Sequence, residues 1–64
     1  MKIGDRVSTP HGIGDIVGWD MPESDRTKRA KVKIDKWYHE HDRELFEPHT
    51  DSLCYFLNEL MLIQ

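Results

Sequence analysis

The sequence predicts a small, mainly β domain: four to five antiparallel strands in a strongly curved sheet, with one C-terminal helix. Three observations predict it. The stretch "RAKVKID" (29–35) alternates apolar and charged residues, the period of a half-buried strand. Three glycines, Gly12, Gly14 and Gly18, interrupt a run otherwise rich in β-branched and aromatic residues. From His49 onward the apolar residues follow a helical spacing instead.

Taken in order, "KIGDRVST" (2–9) is a first strand carrying Ile3 and Val7, with Gly4-Asp5 as a turn or bulge near its start. Pro10-His11-Gly12 marks a turn. "IGDIVGWD" (13–20) is a second strand, and the polar, proline-bearing "MPESDRT" (21–27) an exposed loop. In the third strand Ala30, Val32 and Ile34 face one way, and Arg29, Lys31, Lys33 and Asp35 the other. "HEHD" (39–42) reads as a polar turn and "RELFE" (43–47) as a short fourth strand stopped by Pro48.

The last element is a helix over about 51–63, capped by Thr50 or Asp51. Around it Leu53, Cys54, Phe56, Leu57, Leu60, Met61 and Ile63 fill roughly half the circumference. Ser52, Asn58 and Glu59 lie opposite, together with Tyr55 and Leu62. An arc that wide exceeds what one sheet face covers. It predicts that Leu53, Phe56, Leu57 and Leu60, near its centre, seal the core, and it predicts a docking face, for a dimer or another partner, at Tyr55, Leu62 and Met61.

Size and composition bound the function. A chain of 64 residues forms one domain, near the lower limit for folding without disulfides or metal. It holds one small core, with little left for a deep catalytic pocket. The single cysteine, Cys54, excludes an internal disulfide and fits a reducing cytoplasm. The longest apolar run is Leu53–Leu57 and no basic-then-apolar leader opens the chain, so neither secretion nor membrane spanning is expected. Residues 1–36 carry eight Lys/Arg against six Asp/Glu, and the rest carries Arg43 alone against six acids. Two differently charged surfaces are the expectation.

The glycines pose the sharpest chemical question. A phosphate-binding loop needs its glycines at a strand-to-helix turn, where helix N–H groups meet the anion. Here β-formers follow, so the glycines are read as architectural, marking bends or close backbone approach. The segment "GDRVSTPHGIGDIVGW", written G-D-x-V-x-x-x-x-G-x-G-x-I, resembles the opening hairpin of small SH3-like barrels. It is similar to the RNA-polymerase-interacting modules of transcription-repair coupling helicases and CarD-type regulators, and to the Tudor-like C-terminal domain of UvrD-type helicases. The match is best at "HGIG" (11–14), good over 2–19 and loose over 29–47. The resemblance implies an SH3-like barrel, no catalysis and docking on RNA polymerase. Short barrels of this kind also look similar to phage and prophage accessory proteins.

Other constellations are thin. His39 and His41 beside Glu40 and Asp42 could offer metal ligands, but a closed site needs more certain donors than two histidines. Cys54 with His49 would make a nucleophile only in an accessible, electropositive setting, and Cys54 is expected in the core. No serine-histidine-acid set is recognisable. The sequence therefore predicts no enzyme, cofactor or metal. It predicts a protein-interaction module whose contacts include Trp19, Trp37, Tyr38, Tyr55 and Leu62, because two tryptophans are difficult to bury fully in so small a domain. Two alternatives stand beside it. The basic run 26–36, six cations to one acid, could bind nucleic acid through Arg29, Lys31 and Lys33, and the wide helix arc could drive self-assembly.

Overall fold

The computed structural model describes residues 1–20 and 28–63; the expected loop at 21–27 lies outside the described residues. Five strands form one antiparallel sheet: β1 (Arg6–Ser8), β2 (Gly12–Asp20), β3 (Arg29–Trp37), β4 (Leu53–Phe56) and β5 (Met61–Leu62). Their order across the sheet is β4-β3-β2-β1-β5. A helix, α1 (Glu40–Phe46), sits between β3 and β4, and a single 3-10 turn (Leu57–Glu59) joins β4 to β5.

That last connection requires curvature. Flat, five strands would separate β4 from β5 by roughly 19 Å, at about 4.8 Å per step. The path from Phe56 to Met61, mostly 3-10 turn, spans only roughly 13 Å. The sheet is therefore a curled half-barrel, compatible with an SH3-like fold, and its concave side holds the core. Val7, Ile16, Ala30, Val32, Tyr55 and Leu60 are buried there, with Trp19, Ile34 and Leu53 packed against them.

Two irregularities in the β2–β3 ladder shape the curl. Ile13 pairs with Lys36 but Gly14 with Ile34, so Asp35 is an extra residue on β3. Ile16 pairs with Val32 but Gly18 with Lys31, so Val17 is extra on β2. A strand's faces alternate, and one inserted residue inverts the alternation beyond it. The bulge at Val17 is why Ile16 and Trp19, three positions apart, both reach the core. Opposite the other bulge, β2 and β3 come unusually close. A Cβ on Gly14 would collide with the Lys33 carbonyl oxygen and lie 2.7 Å from its carbon and 2.8 Å from Ile34 Cα. The glycines at 12 and 14 are architectural, as expected, whereas no close backbone approach requires Gly18, where a Cβ would meet only Lys31 Cδ. Gly4, with φ +96°, forms the expected turn before β1, and its N–H donates to the Ile16 carbonyl at 2.8 Å.

The turn at Pro10-His11-Gly12 is held by Thr9. Its buried hydroxyl donates to the Gly12 carbonyl at 2.9 Å and accepts from the Gly12 and His11 N–H groups at 3.0 and 3.1 Å.

Two expectations are corrected. Residues 39–47 are not a turn and a strand: His39 is the N-cap of α1, and Glu40 and Asp42 in the first turn favour its positive end. Glutamate, arginine and leucine are good helix formers, and this helix docks mainly by one ring, Phe46. Nor is there a C-terminal helix over 51–63. Leu53 and Tyr55 face inward from β4 while Cys54 and Phe56 face outward, with Tyr55 opposite Ala30 and Leu53 opposite Val32. Tertiary pairing decides this segment. As strands it covers the exposed edges of both β3 and β1, which a helix would leave unpaired. Of the residues expected to seal the core, Leu60 is buried and Leu53 packs against the core cluster, while Phe56 and Leu57 are exposed, and Cys54 is exposed rather than in the core.

Gly14→Val is expected to cost well over ~1 kcal/mol, the scale of strain at constrained backbone positions. Gly18→Ala, whose Cβ would meet only Lys31 Cδ at 3.7 Å, should leave the melting temperature nearly unchanged. Thermal melts of both against the parent check the contrast; equal melting of the two variants would refute the close-approach argument.

Candidate binding surfaces

The convex face is laid out by register. Across its middle, Arg6, Asp15 and Lys33 lie side by side on β1, β2 and β3. The Arg6 guanidinium reaches Asp15 at 3.1 Å and both carboxylate oxygens of the bulged Asp35 at 3.1 Å. Hydrogen bonds to Asp35 and then Asp15 hold the Arg6 pKa above its ordinary value. These groups are about half exposed, so the network orients side chains more than it stabilises the fold. Nearer β4, Arg29 bonds Asp20 at 2.7 Å. The row predicted for nucleic acid thus divides: Lys31 and Lys33 are exposed, whereas Arg29 is half-buried and committed to Asp20. Asp15, Asp20 and Asp35 interleave with the cations, which weakens the field a phosphate backbone would meet.

At the other end of the convex face, Ser8 lies between Met61 and Ile13. Its hydroxyl shares a 2.5 Å hydrogen bond with the Tyr38 hydroxyl. Tyr38 and Met61 are 47% and 72% exposed. One polar hinge point thus gathers two large exposed side chains.

At the same end, with its ring turned toward the core, His11 is a hub. Its Nδ1 is 2.7 Å from the Tyr55 hydroxyl, its ring meets Phe46 edge-on at 5.2 Å, and its carbonyl accepts from the Tyr38 N–H at 3.0 Å. Phe46 stacks in turn on Trp37 at 6.2 Å. Of the predicted contacts, Tyr38 and Leu62 are exposed. Leu62 sits at the open margin opposite Val7. Trp19 is half-buried, with Lys28 Nζ 4.1 Å from its ring centroid. Trp37 is half-buried against Phe46. Tyr55 is 4% exposed and belongs to the core, so it offers no contact surface, and the helical face on which it was placed does not exist. His39 and His41 lie at the start of α1, where positions two apart do not face each other. Among the described residues no three His, Cys, Asp or Glu side chains gather to hold a metal. None of the described helices is long and apolar enough to cross a membrane.

Sequence reasoning missed His11 and Phe46. A histidine inside a Pro-His-Gly turn reads as punctuation, and Phe46 falls within the segment that reads as a strand.

A cleft of about 360 Å³ opens beside β3, bounded by Val32–Asp35, Trp37, Glu47 and Thr50–Leu53. It exists because the β3–β4 ladder stops at Val32↔Leu53 while β3 continues to Trp37. No family model, curated protein or solved structure matches the chain.

Burial raises the Tyr55 pKa above its ordinary 10.0. A group whose folded value lies above its unfolded one contributes stability fully below the unfolded value, and loses it as pH rises through the folded value. Stability should therefore fall as pH climbs beyond about 10, and Tyr55→Phe should flatten that fall. At neutral pH the same variant should lose about 0.5–1.5 kcal/mol with the His11 bond. Urea unfolding from pH 7 to 11 reads both; an alkaline slope unchanged by the substitution would contradict the burial assignment.

Proposed function

We propose that this chain is a non-enzymatic protein-interaction module that docks through the β5–β1–β2 end of its convex face. The observation that carries the reading is the pair of exposed side chains, Tyr38 and Met61, gathered about Ser8. Tyrosine and methionine are enriched in the buried cores of interfaces, where a rigid or adaptable apolar body displaces water at modest entropic cost. Ile13, beside Ser8 on β2, and Lys36, beside Ile13 on β3, extend the row. A partner would meet an apolar centre with a cation at its rim, the arrangement that favours protein recognition over phosphate tracking.

The hairpin resemblance over 2–19 directs the search for the partner to the bacterial transcription machinery, with RNA polymerase first. A role as a phage or prophage accessory protein is compatible with that target. The interleaved carboxylates beside Arg29, Lys31 and Lys33 count against the nucleic-acid alternative, and association of the chain with itself is the remaining outcome.

Met61→Asp and Tyr38→Ala are surface changes, expected to move stability by no more than about 0.5 kcal/mol each. Each should weaken binding to purified bacterial RNA polymerase by about tenfold or more, roughly 1.4 kcal/mol. Sedimentation of the same variants reports self-association. If the polymerase binds parent and variants alike, this face is not the docking site. If instead a generic oligonucleotide binds at low salt and Lys31→Glu/Lys33→Glu abolishes it, the nucleic-acid reading replaces this one.

A further inference from the structure

The cleft beside β3 lies on a different part of the surface from the Tyr38–Met61 row, and its chemistry differs. Val32, Ile34 and Leu53 contribute its apolar lining, and Trp37 stands among them. Trp37 stacks on Phe46, and its indole N–H is buried with no acceptor among the described residues. Such a donor, left unmatched, is a standing cost that a backbone carbonyl of an incoming segment would relieve. Two of the cleft's carboxylates, Glu47 and Asp51, have no ion-pair partner among the described residues, while Asp35 is held by Arg6. The cation among the cleft's lining, Lys33, projects from the convex face of β3, where its register partner Asp15 is bonded to Arg6. Acids continue along α1 at Glu40, Asp42 and Glu44, with Arg43 tied to Glu40. The wall is acidic and the floor apolar. On its β3 side the cleft is bordered by a strand, Lys33–Trp37, that has a neighbouring strand on its β2 side alone.

We propose that this cleft receives an extended, basic segment of a partner protein, with an arginine or lysine side chain held by Trp37, Glu47 and Asp51. Each part of that occupant answers a feature of the site. An extended backbone can pair with the uncovered half of β3, as added strands do at open sheet edges. A cationic side chain complements the unmatched carboxylates and is attracted to an indole face. Apolar neighbours in the segment cover Val32, Ile34 and Leu53. This deepens the reading of the chain as a protein-interaction module by adding a second site and the chemistry of what fills it.

The test uses short peptide pools with random flanks and a fixed central arginine, lysine, glutamine or glutamate, titrated into the isotopically labelled chain. The Trp37 indole N–H resonance, assigned by its persistence in Trp19→Phe, reports the cleft. The arginine and lysine pools should shift it together with backbone amides of residues 33–37 and 47–53, at concentrations about tenfold lower than the glutamine pool. Glu47→Lys/Asp51→Lys changes two exposed residues, so the variant should keep its spectrum. It should also invert the preference toward the glutamate pool. No Trp37 shift with any pool at millimolar concentration, shifts indifferent to the central charge, or shifts confined to the Tyr38–Met61 row would each overturn the proposal. Met61→Asp should leave the peptide response intact. Loss of polymerase binding in that variant with peptide binding retained separates the two surfaces, so failure of one reading is visible without failure of the other.

Discussion

The close approach of β2 to β3 at Gly12 and Gly14 is the constraint on which the rest of the fold depends. No side chain fits between these glycines and the backbone of Lys33–Trp37. With nothing there, β3 folds tightly over β2, and the bulge at Asp35 takes up the mismatch in register. The resulting curl brings the two sheet edges within reach of one 3-10 turn, so that β4 and β5 are laid down by a single short segment. It also presents Asp35 to Arg6 across β2. Among the described residues, a core of six buried hydrophobic side chains can close only because the sheet wraps it. In a chain this short the burial available is small, so curvature does work that size does in larger domains.

The same argument changes what the "HGIG" segment means. Three of its four residues have identifiable structural duties: His11 links the turn to β4 and α1, and Gly12 and Gly14 admit β3. None of the three is placed as a surface anchor. A likeness carried by these residues therefore speaks to how a barrel begins to fold, and much less to what it binds. The binding readings rest instead mainly on exposed residues outside the segment, with only Ile13 of it at their edge: Tyr38 and Met61 on the convex face, Glu47 and Asp51 beside the cleft.

What was legible in the sequence followed from local rules. Val32 and Lys31 alternate because β3 is buried on one face only, and that alternation survives to the Asp35 bulge. The turn at Gly4 and the glycine approach were legible for the same reason: each is a local steric demand. The second half was not legible, because its signals are degenerate. In Leu53–Ile63 most positions are apolar, and a run that dense satisfies a helical period and an alternating one together. The free edges of β3 and β1 decide between them, and these are tertiary facts. In α1 the error is the reverse: a charged segment with two adjacent apolar residues carries no period at all. Its helix rests on residue propensity and on Phe46 meeting His11 and Trp37, partners distant in sequence. Misplacing these two elements moved Tyr55 from the core to a surface and hid the cleft entirely.

The charge asymmetry of the two halves acquires a geometric form in the fold. Lys31 and Lys33 are carried outward by the face of β3, while Glu47 and Asp51 stand beside the edge of the same strand. Face and edge of a strand point in perpendicular directions, so the two sets are neighbours that do not neutralise one another. On the convex face neutralisation comes instead from aspartates of β2 and β3: Asp15 and the bulged Asp35 meet Arg6, and Asp20 meets Arg29. β3 thus carries its lysines toward one side and borders an acidic cleft on the other, with Lys33 at the boundary of both. Partners of opposite charge would be sorted by which side of β3 they approach, and long-range steering toward either side would weaken with salt because both surfaces are exposed.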